Sequence, residues 1–134
     1  MREQRIYSLA EANRVLPQVR DLVGHIVQLS AYLPELQEQV RTAEYVRARP
    51  GANPEDRDRL ENALNLLRES ELELSKAALG LEALGVSLKD PMIGLVDFPG
   101  LMDGEIVELC WRLGEDRVGH WHRIGEGYRG RKPL

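Results

Sequence analysis

The chain has 134 residues, of which 43% are hydrophobic and 30% charged, and its formal net charge is −4 at pH 7. This is the usual length of one domain, so residues 1–134 are expected to share one core. The single cysteine, Cys110, excludes an internal disulfide framework. No apolar run approaches the ~18 residues of a membrane span, and no apolar secretory segment follows the charged N-terminus. A soluble cytoplasmic protein without a membrane segment is therefore expected.

A capping box at residues 8–11 (SLAE) predicts the start of a first long helix. Apolar residues then recur at intervals of three and four, which places them in one stripe on the helix. The stripe consists of Leu9, Ala12, Leu16, Val19, Val23, Ile26, Leu29, Leu33, Leu36, Val40 and Ala43. Pro17 and Pro34 lie inside this pattern, and each removes a backbone donor. Two kinks, or a break near Pro34, are therefore expected.

A second helix follows the linker at residues 48–54 (ARPGANP). Asn53 is a favourable N-cap and Pro54 a favourable first-turn residue, and Gly85 is placed to cap the helix C-terminus after about Leu84. The predicted stripe comprises Leu60, Leu64, Leu67, Leu74, Ala78, Leu81 and Leu84. Two stripes joined by a short turn predict a long antiparallel helical hairpin over residues 1–85.

Some leucines of the second helix lie off its stripe, namely Leu66, Leu72 and Leu79. Two helices alone leave this apolar surface in water. It is expected to pack either on the remainder of the chain or on a second copy, and a homodimer is the favoured interpretation.

Residues 86–134 show a strand-like pattern in place of the helical one. Residues 94–99 (GLVDFP) predict a short strand that stops at proline, residues 105–113 alternate between apolar and polar, and residues 118–124 predict a third strand. Glycines and a proline in the last ten residues predict a loop or an extended tail. The expected fold is α+β: a long helical hairpin followed by a small antiparallel β-sheet of about three strands.

Several motifs resemble those of the bacterial proteins grouped as domain of unknown function 2203. They are residues 7–13 (YSLAEAN), 16–17 (LP), 94–99 (GLVDFP), 109–115 (LCWRLGE), 121–122 (WH) and 127–134 (GYRGRKPL). The resemblance covers nearly the whole chain. It implies no activity and no functional residues, because none are assigned in that family. Glu108 departs from the family pattern, where an aromatic residue is expected, so this face of the strand is expected to be more polar here.

A metal site is the first candidate chemistry. His120 and His122 are two residues apart and would point to the same face of a strand. Asp97 and Cys110, or Glu108, could complete a ligand shell if their strands are adjacent, and zinc or a similar divalent metal suits these ligands. The motif lacks a Cys-x-x-Cys or His-Glu-x-x-His companion. The alternative is one exposed histidine and one that hydrogen-bonds a neighbouring carbonyl.

A site for a small anionic ligand is the second candidate. Planar guanidinium donors and flat rings for stacking come from the same segment: Arg112, Arg123, Arg129 and Arg131, with Trp111 and Trp121. The alternative pairs these arginines with nearby carboxylates and packs the tryptophans between sheet and helices. Residues 128–132 (YRGRK) resemble a single-strand nucleic-acid contact, but a pI near 5.4 argues against that partner. Covalent catalysis by Cys110 is the weakest case, because a mid-strand thiol is typically buried and inert.

The hairpin raises a different class of function. Its first arm carries a solvated charged flank, as do arms that mediate dimerisation or partner docking. The sequence thus favours a non-enzymatic cytoplasmic binding or scaffolding module that uses its helical hairpin for oligomerisation or for a protein partner. The alternative is a metal-binding protein or metal-dependent enzyme with its site on the C-terminal β segment.

Overall fold

The structure is a computed structural model, and it describes residues 5–134. Residues 1–4, on which the expectation about a secretory signal partly rests, lie outside this range. The elements in chain order are α1 (Leu9–Ala48), α2 (Pro54–Ala83), β1 (Ser87–Asp90), β2 (Leu95–Met102), β3 (Glu105–Arg112), β4 (His120–His122), a 3-10 turn (Tyr128–Gly130) and β5 (Lys132–Pro133). The predicted α+β fold, a helical hairpin followed by an antiparallel sheet, is confirmed.

Both helices begin where side chains replace the missing helical hydrogen bonds. Ser8 accepts from the Glu11 amide at 3.1 Å while the Glu11 carboxylate accepts from the Ser8 amide. Asn53 and Asp56 form the same reciprocal pair at the start of α2. Gly85, with φ +74°, follows the end of α2 in the left-handed conformation that glycine adopts readily. The predicted helix boundaries are thus correct to within one residue.

The expected break near Pro34 does not occur. Helix α1 continues from Leu9 to Ala48 with both Pro17 and Pro34 inside it. Each proline removes one backbone hydrogen bond, which costs stability. Burial of Leu29 and Leu36, on either side of Pro34, stabilises the helix at the same place. Packing along this stripe outweighs the loss of one hydrogen bond, so the helix persists.

The buried face of α2 differs slightly from the predicted stripe. Ala77 is buried and Ala78 is exposed, and Ser70 joins the buried positions. Leu66, Leu72 and Leu79 remain exposed, as expected for residues off the stripe. That a second copy covers them stays a prediction. Among the described residues, neither helix combines the length and hydropathy needed to cross a bilayer.

The sheet has five strands in the order β1-β2-β3-β4-β5, and all neighbours are antiparallel. This corrects the expectation of about three strands. The additional strands are the outer ones, four and two residues long. Neither shows a full apolar alternation, because each is half-buried at most and owes its conformation to pairing with its neighbour.

The two faces of the sheet differ in chemistry. Side chains alternate across each strand, and one face packs on the helical hairpin in a core that includes Val96, Phe98, Val107, Leu109 and Trp111. The opposite face carries polar side chains: Asp97 on β2, Glu108 and Cys110 on β3, and His120 and His122 on β4. The C-terminal segment contacts this polar face.

Candidate metal centre

Strand pairing brings Asp97, Cys110 and His122 together on the polar face. Asp97 is directly opposite Cys110 across the β2–β3 pair, and His122 is opposite Glu108 across the β3–β4 pair. The three residues are 4%, 0% and 2% exposed, respectively. A carboxylate, a thiol and an imidazole therefore share one buried location, and charged groups in such a location need a partner.

The spacing within this cluster suits a metal ion. One ligand atom from each of Asp97, Cys110 and His122 lies within 4.8 Å of the other two. His122 Nε2 is 3.1 Å from Asp97 Oδ1 and 3.6 Å from Glu108 Oε2. Two ligand atoms bound to tetrahedral zinc at ~2.0–2.1 Å are themselves ~3.4 Å apart. Small side-chain adjustments would therefore place all three atoms in one coordination shell.

The orientation of the His122 ring is fixed by the backbone. Its Nδ1 is 2.9 Å from the carbonyl oxygen of Arg123. A carbonyl only accepts, so Nδ1 carries the hydrogen and Nε2 faces Asp97. A hydrogen bond from the second ring nitrogen to a backbone carbonyl is the usual support of a metal-bound histidine.

Burial shifts the protonation equilibria of the cluster. Burial raises the pKa of the Glu108 carboxyl, and the neighbouring Asp97 raises it further. Burial also raises the pKa of the Cys110 thiol to about 11, with Asp97 adding to the effect. Burial alone would lower the pKa of His122, but the Arg123 carbonyl and the Asp97 carboxylate together raise it above its usual value. The Cys110 thiol thus retains its proton near neutral pH, and a divalent cation could replace that proton.

His120 lies opposite Cys110 across the β3–β4 pair but is not one of the three residues whose ligand atoms lie within 4.8 Å of one another, so the His-x-His clamp stays a prediction. Both histidines lie on the same face, but alternate residues of a strand are ~6.5–7 Å apart. His120 Nδ1 lies 3.5 Å from Glu115 Oε2 and makes no hydrogen bond within the described part of the chain. Each histidine therefore has its own carboxylate, Glu115 for His120 and Asp97 for His122.

Glu115 also binds Arg131, one of the predicted anion-binding arginines. The guanidinium donates from Nη1 and Nη2 to the two carboxylate oxygens at 3.0 and 2.9 Å. Burial would raise the pKa of Glu115, but the hydrogen bonds from Arg131 and from the Arg112 amide bring it below its usual value. Arg131 is thus already neutralised by the protein itself.

Of the four predicted anion-binding arginines, Arg112, Arg123, Arg129 and Arg131, two contact a common residue: Arg112 and Arg131 both contact Tyr128. Arg112 Nη1 donates to the Tyr128 hydroxyl at 3.3 Å, Arg123 lies 3.7 Å from Glu126, and Arg129 is exposed. An anion site formed by all four arginines therefore stays a prediction, with Arg131 already paired with Glu115 and Arg123 with Glu126.

One of the two tryptophans predicted to stack on a ligand, Trp111, is buried, and a stacking role for Trp121 stays a prediction. Trp111 is 0% exposed and lies in the core between sheet and helices, so it offers no ring face to a ligand. Trp121 is partly buried, with the Arg123 guanidinium 5.7 Å and the Lys132 ammonium 4.9 Å from its ring centroid. The interpretation in which the tryptophans pack the sheet is the one the structure shows for Trp111.

A cavity of about 340 Å³ lies beside the cluster. Its walls comprise Lys89, Leu95, Asp97, Glu108, His122, Ile124, Gly125, Gly127 and Tyr128. Cys110 does not line it. Sequence reasoning missed Lys89, because a single exposed lysine in a strand without apolar alternation gives no signal. A larger hollow of about 540 Å³ between the outer ends of the helices is lined by residues such as Ala43, Val46 and Leu66 and holds no comparable cluster.

Comparison with known proteins identifies a family without assigning an activity. The family described as an uncharacterized conserved protein, DUF2203, matches residues 5–134. No curated protein and no solved structure matches the chain. The matched range includes both helices and all five strands, together with the Asp97, Cys110 and His122 cluster. The chain therefore belongs to the DUF2203 family.

Proposed function

We propose that the protein binds a divalent metal ion, zinc in the first instance, through Asp97, Cys110 and His122. The observation that carries the proposal is the His122 ring: its Nδ1 is held by a backbone carbonyl, and its Nε2 faces Asp97 beside a buried thiol. Carboxylate, thiolate and imidazole are the ligand types that zinc takes in proteins. Binding of a metal ion at this position would replace the proton of the buried Cys110 thiol, whose pKa burial raises to about 11.

We prefer metal binding to the scaffolding role that the sequence alone favours. The scaffolding hypothesis relies on the exposed helix faces, whose charged side chains are also typical of any solvated helix. The metal hypothesis relies on three buried, converging ligand types with a fixed imidazole orientation. Three buried, converging ligands are a more specific feature than charged helix faces, and they support metal binding as the primary function.

The direct test is metal analysis of protein purified without an affinity tag or chelator, followed by zinc titration against a chromophoric chelator. We expect about one equivalent of zinc per chain. The variants His122→Ala and Asp97→Asn should lose at least ~100-fold in zinc affinity, since each removes a ligand. His120→Ala is the matched control, because it removes the same side chain from the same strand outside the cluster.

Thermal unfolding with and without zinc separates a metal centre from a purely structural His122–Asp97 ion pair. A site saturated to 100 times its Kd should stabilise the wild-type fold by about 2.7 kcal/mol, whereas His122→Ala should gain nothing. Absence of zinc binding in folded wild-type protein would contradict the proposal. So would equal losses of zinc in His122→Ala and His120→Ala.

A second candidate function is self-association through the hairpin. Leu72 and Leu79 are 56% and 62% exposed, and their seven-residue spacing places them on the same side of α2. We propose that they contact a second copy. Sedimentation should show a dimer that Leu79→Lys converts to monomer. Leu101→Lys, at another exposed leucine on β2, should not change the association state. A monomeric wild type at ~100 µM, a concentration at which even a weak interface assembles, would contradict the candidate.

A further inference from the structure

The cavity beside the cluster suggests what the metal ion would bind. We propose that the site is open on this side and that the cavity binds a small organic oxyanion, a carboxylate or phosphate on a short apolar group, with an oxygen on the metal. The inference rests on the proposed function, because it requires the ion held by Asp97, Cys110 and His122.

The number of ligands leaves room for an exogenous group. Three protein ligands and one open position are the pattern of catalytic zinc sites, whereas structural sites have four protein ligands. Asp97 and His122 line the cavity, whereas Cys110 does not and is fully buried. The side of the ligand set opposite Cys110 therefore faces the cavity. Glu108, 3.6 Å from His122 Nε2, is the competing fourth ligand that the experiment must exclude.

Two polar side chains on the cavity wall favour an anion. Lys89 lines the cavity; its ammonium lowers the pKa of the Glu108 carboxyl through electrostatic attraction, but it forms no ion pair within 4 Å in the described part of the chain. The Tyr128 hydroxyl accepts a hydrogen bond from Arg112, so its own proton remains available to a ligand. Its ring lies 4.5 Å from the Arg131 guanidinium, which holds it in place. A cation and a hydroxyl donor on one wall suit an oxyanion.

The remaining walls favour a ligand with an apolar part. Leu95 and Ile124 line the cavity, and Ile124 is 66% exposed, which leaves apolar surface for a ligand to cover. Gly125 and Gly127 have φ of +90° and +72°, values at which other residues are strained, so this wall carries no side chains. A volume of about 340 Å³ is at the small end of ligand sites.

Electrostatics make the binding of the oxyanion depend on the metal. Asp97 and Glu108 line the same cavity, and their negative charge opposes an anion while no cation lies between them. A divalent ion would offset the charges of Asp97 and of the Cys110 thiolate, which reduces this repulsion, and it would offer the anion a coordination position. Anion affinity and metal affinity should therefore be coupled, each ligand strengthening the other.

The test uses the full chain loaded with Co²⁺, which takes zinc ligands and whose visible absorption reports its coordination. The probes are acetate, benzoate and inorganic phosphate. We expect a saturable change of the cobalt bands, with benzoate binding more tightly than acetate because of the apolar walls. Lys89→Gln should weaken the binding of the effective probe by roughly fivefold, the loss of one partly exposed charge contact. Lys76→Gln, which removes a lysine lining a different hollow, is the matched control.

The possible outcomes are distinct. Saturable binding of the carboxylates or of phosphate supports the inference, and the preferred probe identifies the head group. If cobalt binds tightly and no probe changes its spectrum, Glu108 occupies the fourth coordination position. That outcome overturns the inference and leaves metal binding intact. Equal losses in Lys89→Gln and Lys76→Gln also overturn it. Failure of cobalt to bind at all overturns both this inference and the proposed function.

Discussion

At the scale of single residues, the protonation state of Cys110 controls the metal affinity of the proposed centre. Burial raises the pKa of this thiol to about 11, and only the thiolate binds metal. Metal binding must therefore release the Cys110 proton at any pH below that value. The thiol thus determines how strongly the affinity of the centre depends on pH.

We predict that zinc affinity rises by about tenfold per pH unit above the raised pKa of His122 and below the Cys110 pKa of about 11, because one thiol proton is released on binding. Below the raised pKa of His122, release of the imidazolium proton should make the dependence steeper. The measurement is chelator competition at several pH values. Cys110→Ser should bind more weakly and lose the thiol-dependent slope. An affinity independent of pH in the wild type would show that Cys110 is not a ligand.

Single residues also show where sequence reasoning about the site reached its limit. The two-residue spacing correctly placed His120 and His122 on one face of a strand. It did not reveal which histidine joins the cluster, because Asp97 on β2 and Glu115 after β3 make that choice. Asp97 and Cys110 were predictable as neighbours only on the condition that their strands pair, and the observed register meets that condition.

Pro34 provides a test at the scale of the helical hairpin. It is exposed within a continuous α1, where proline removes one backbone hydrogen bond and clashes with the preceding turn. We predict that Pro34→Ala stabilises the protein by about 1–3 kcal/mol, judged from helix propensities. Chemical denaturation would measure the change. A matched alanine substitution at exposed Glu35, one residue away, should have little effect.

A destabilised Pro34→Ala variant would contradict this expectation and imply that the proline is required for the shape of α1.

The helices and outer strands show how far local sequence signals predict this fold. Capping residues and apolar periodicity located both helices, because these signals are local. The continuity of α1 across Pro34 was not predictable from them, since it depends on packing against α2. The same holds for β1 and β5, whose conformations depend on pairing partners.

At the scale of the whole molecule, the C-terminal tail packs on the polar face of the sheet and is held there by hydrogen bonds. Arg131 in the tail forms its two hydrogen bonds with Glu115 after β3, and its guanidinium also interacts with Cys110. The Leu134 amide donates to the Gly119 carbonyl at 2.9 Å. The glycines and the proline of the tail predicted a loop or an extended tail, and the sequence alone did not reveal which carboxylate would hold it.

We predict that Glu115→Gln destabilises the protein by about 1–2 kcal/mol at pH 7, the usual contribution of charge-assisted hydrogen bonds. The pKa of Glu115 is lower in the folded state, so its stabilising effect is complete above the unfolded value of ~4.3. That effect is lost as pH falls through the folded pKa. The difference between wild type and Glu115→Gln should therefore be constant from pH 6 to 8 and shrink below pH ~4.

Thermal unfolding across this pH range would measure the difference, with Glu44→Gln on the exposed face of α1 as the control for loss of a carboxylate. Hydrogen exchange at the Leu134 amide adds a local measurement, because loosening the tail should expose this amide before the core unfolds. A difference that persists unchanged at pH 3 would show that Glu115 acts through packing rather than through its charge. Faster exchange in Glu115→Gln with weaker zinc binding would instead show that the tail helps to hold the metal ligands in place.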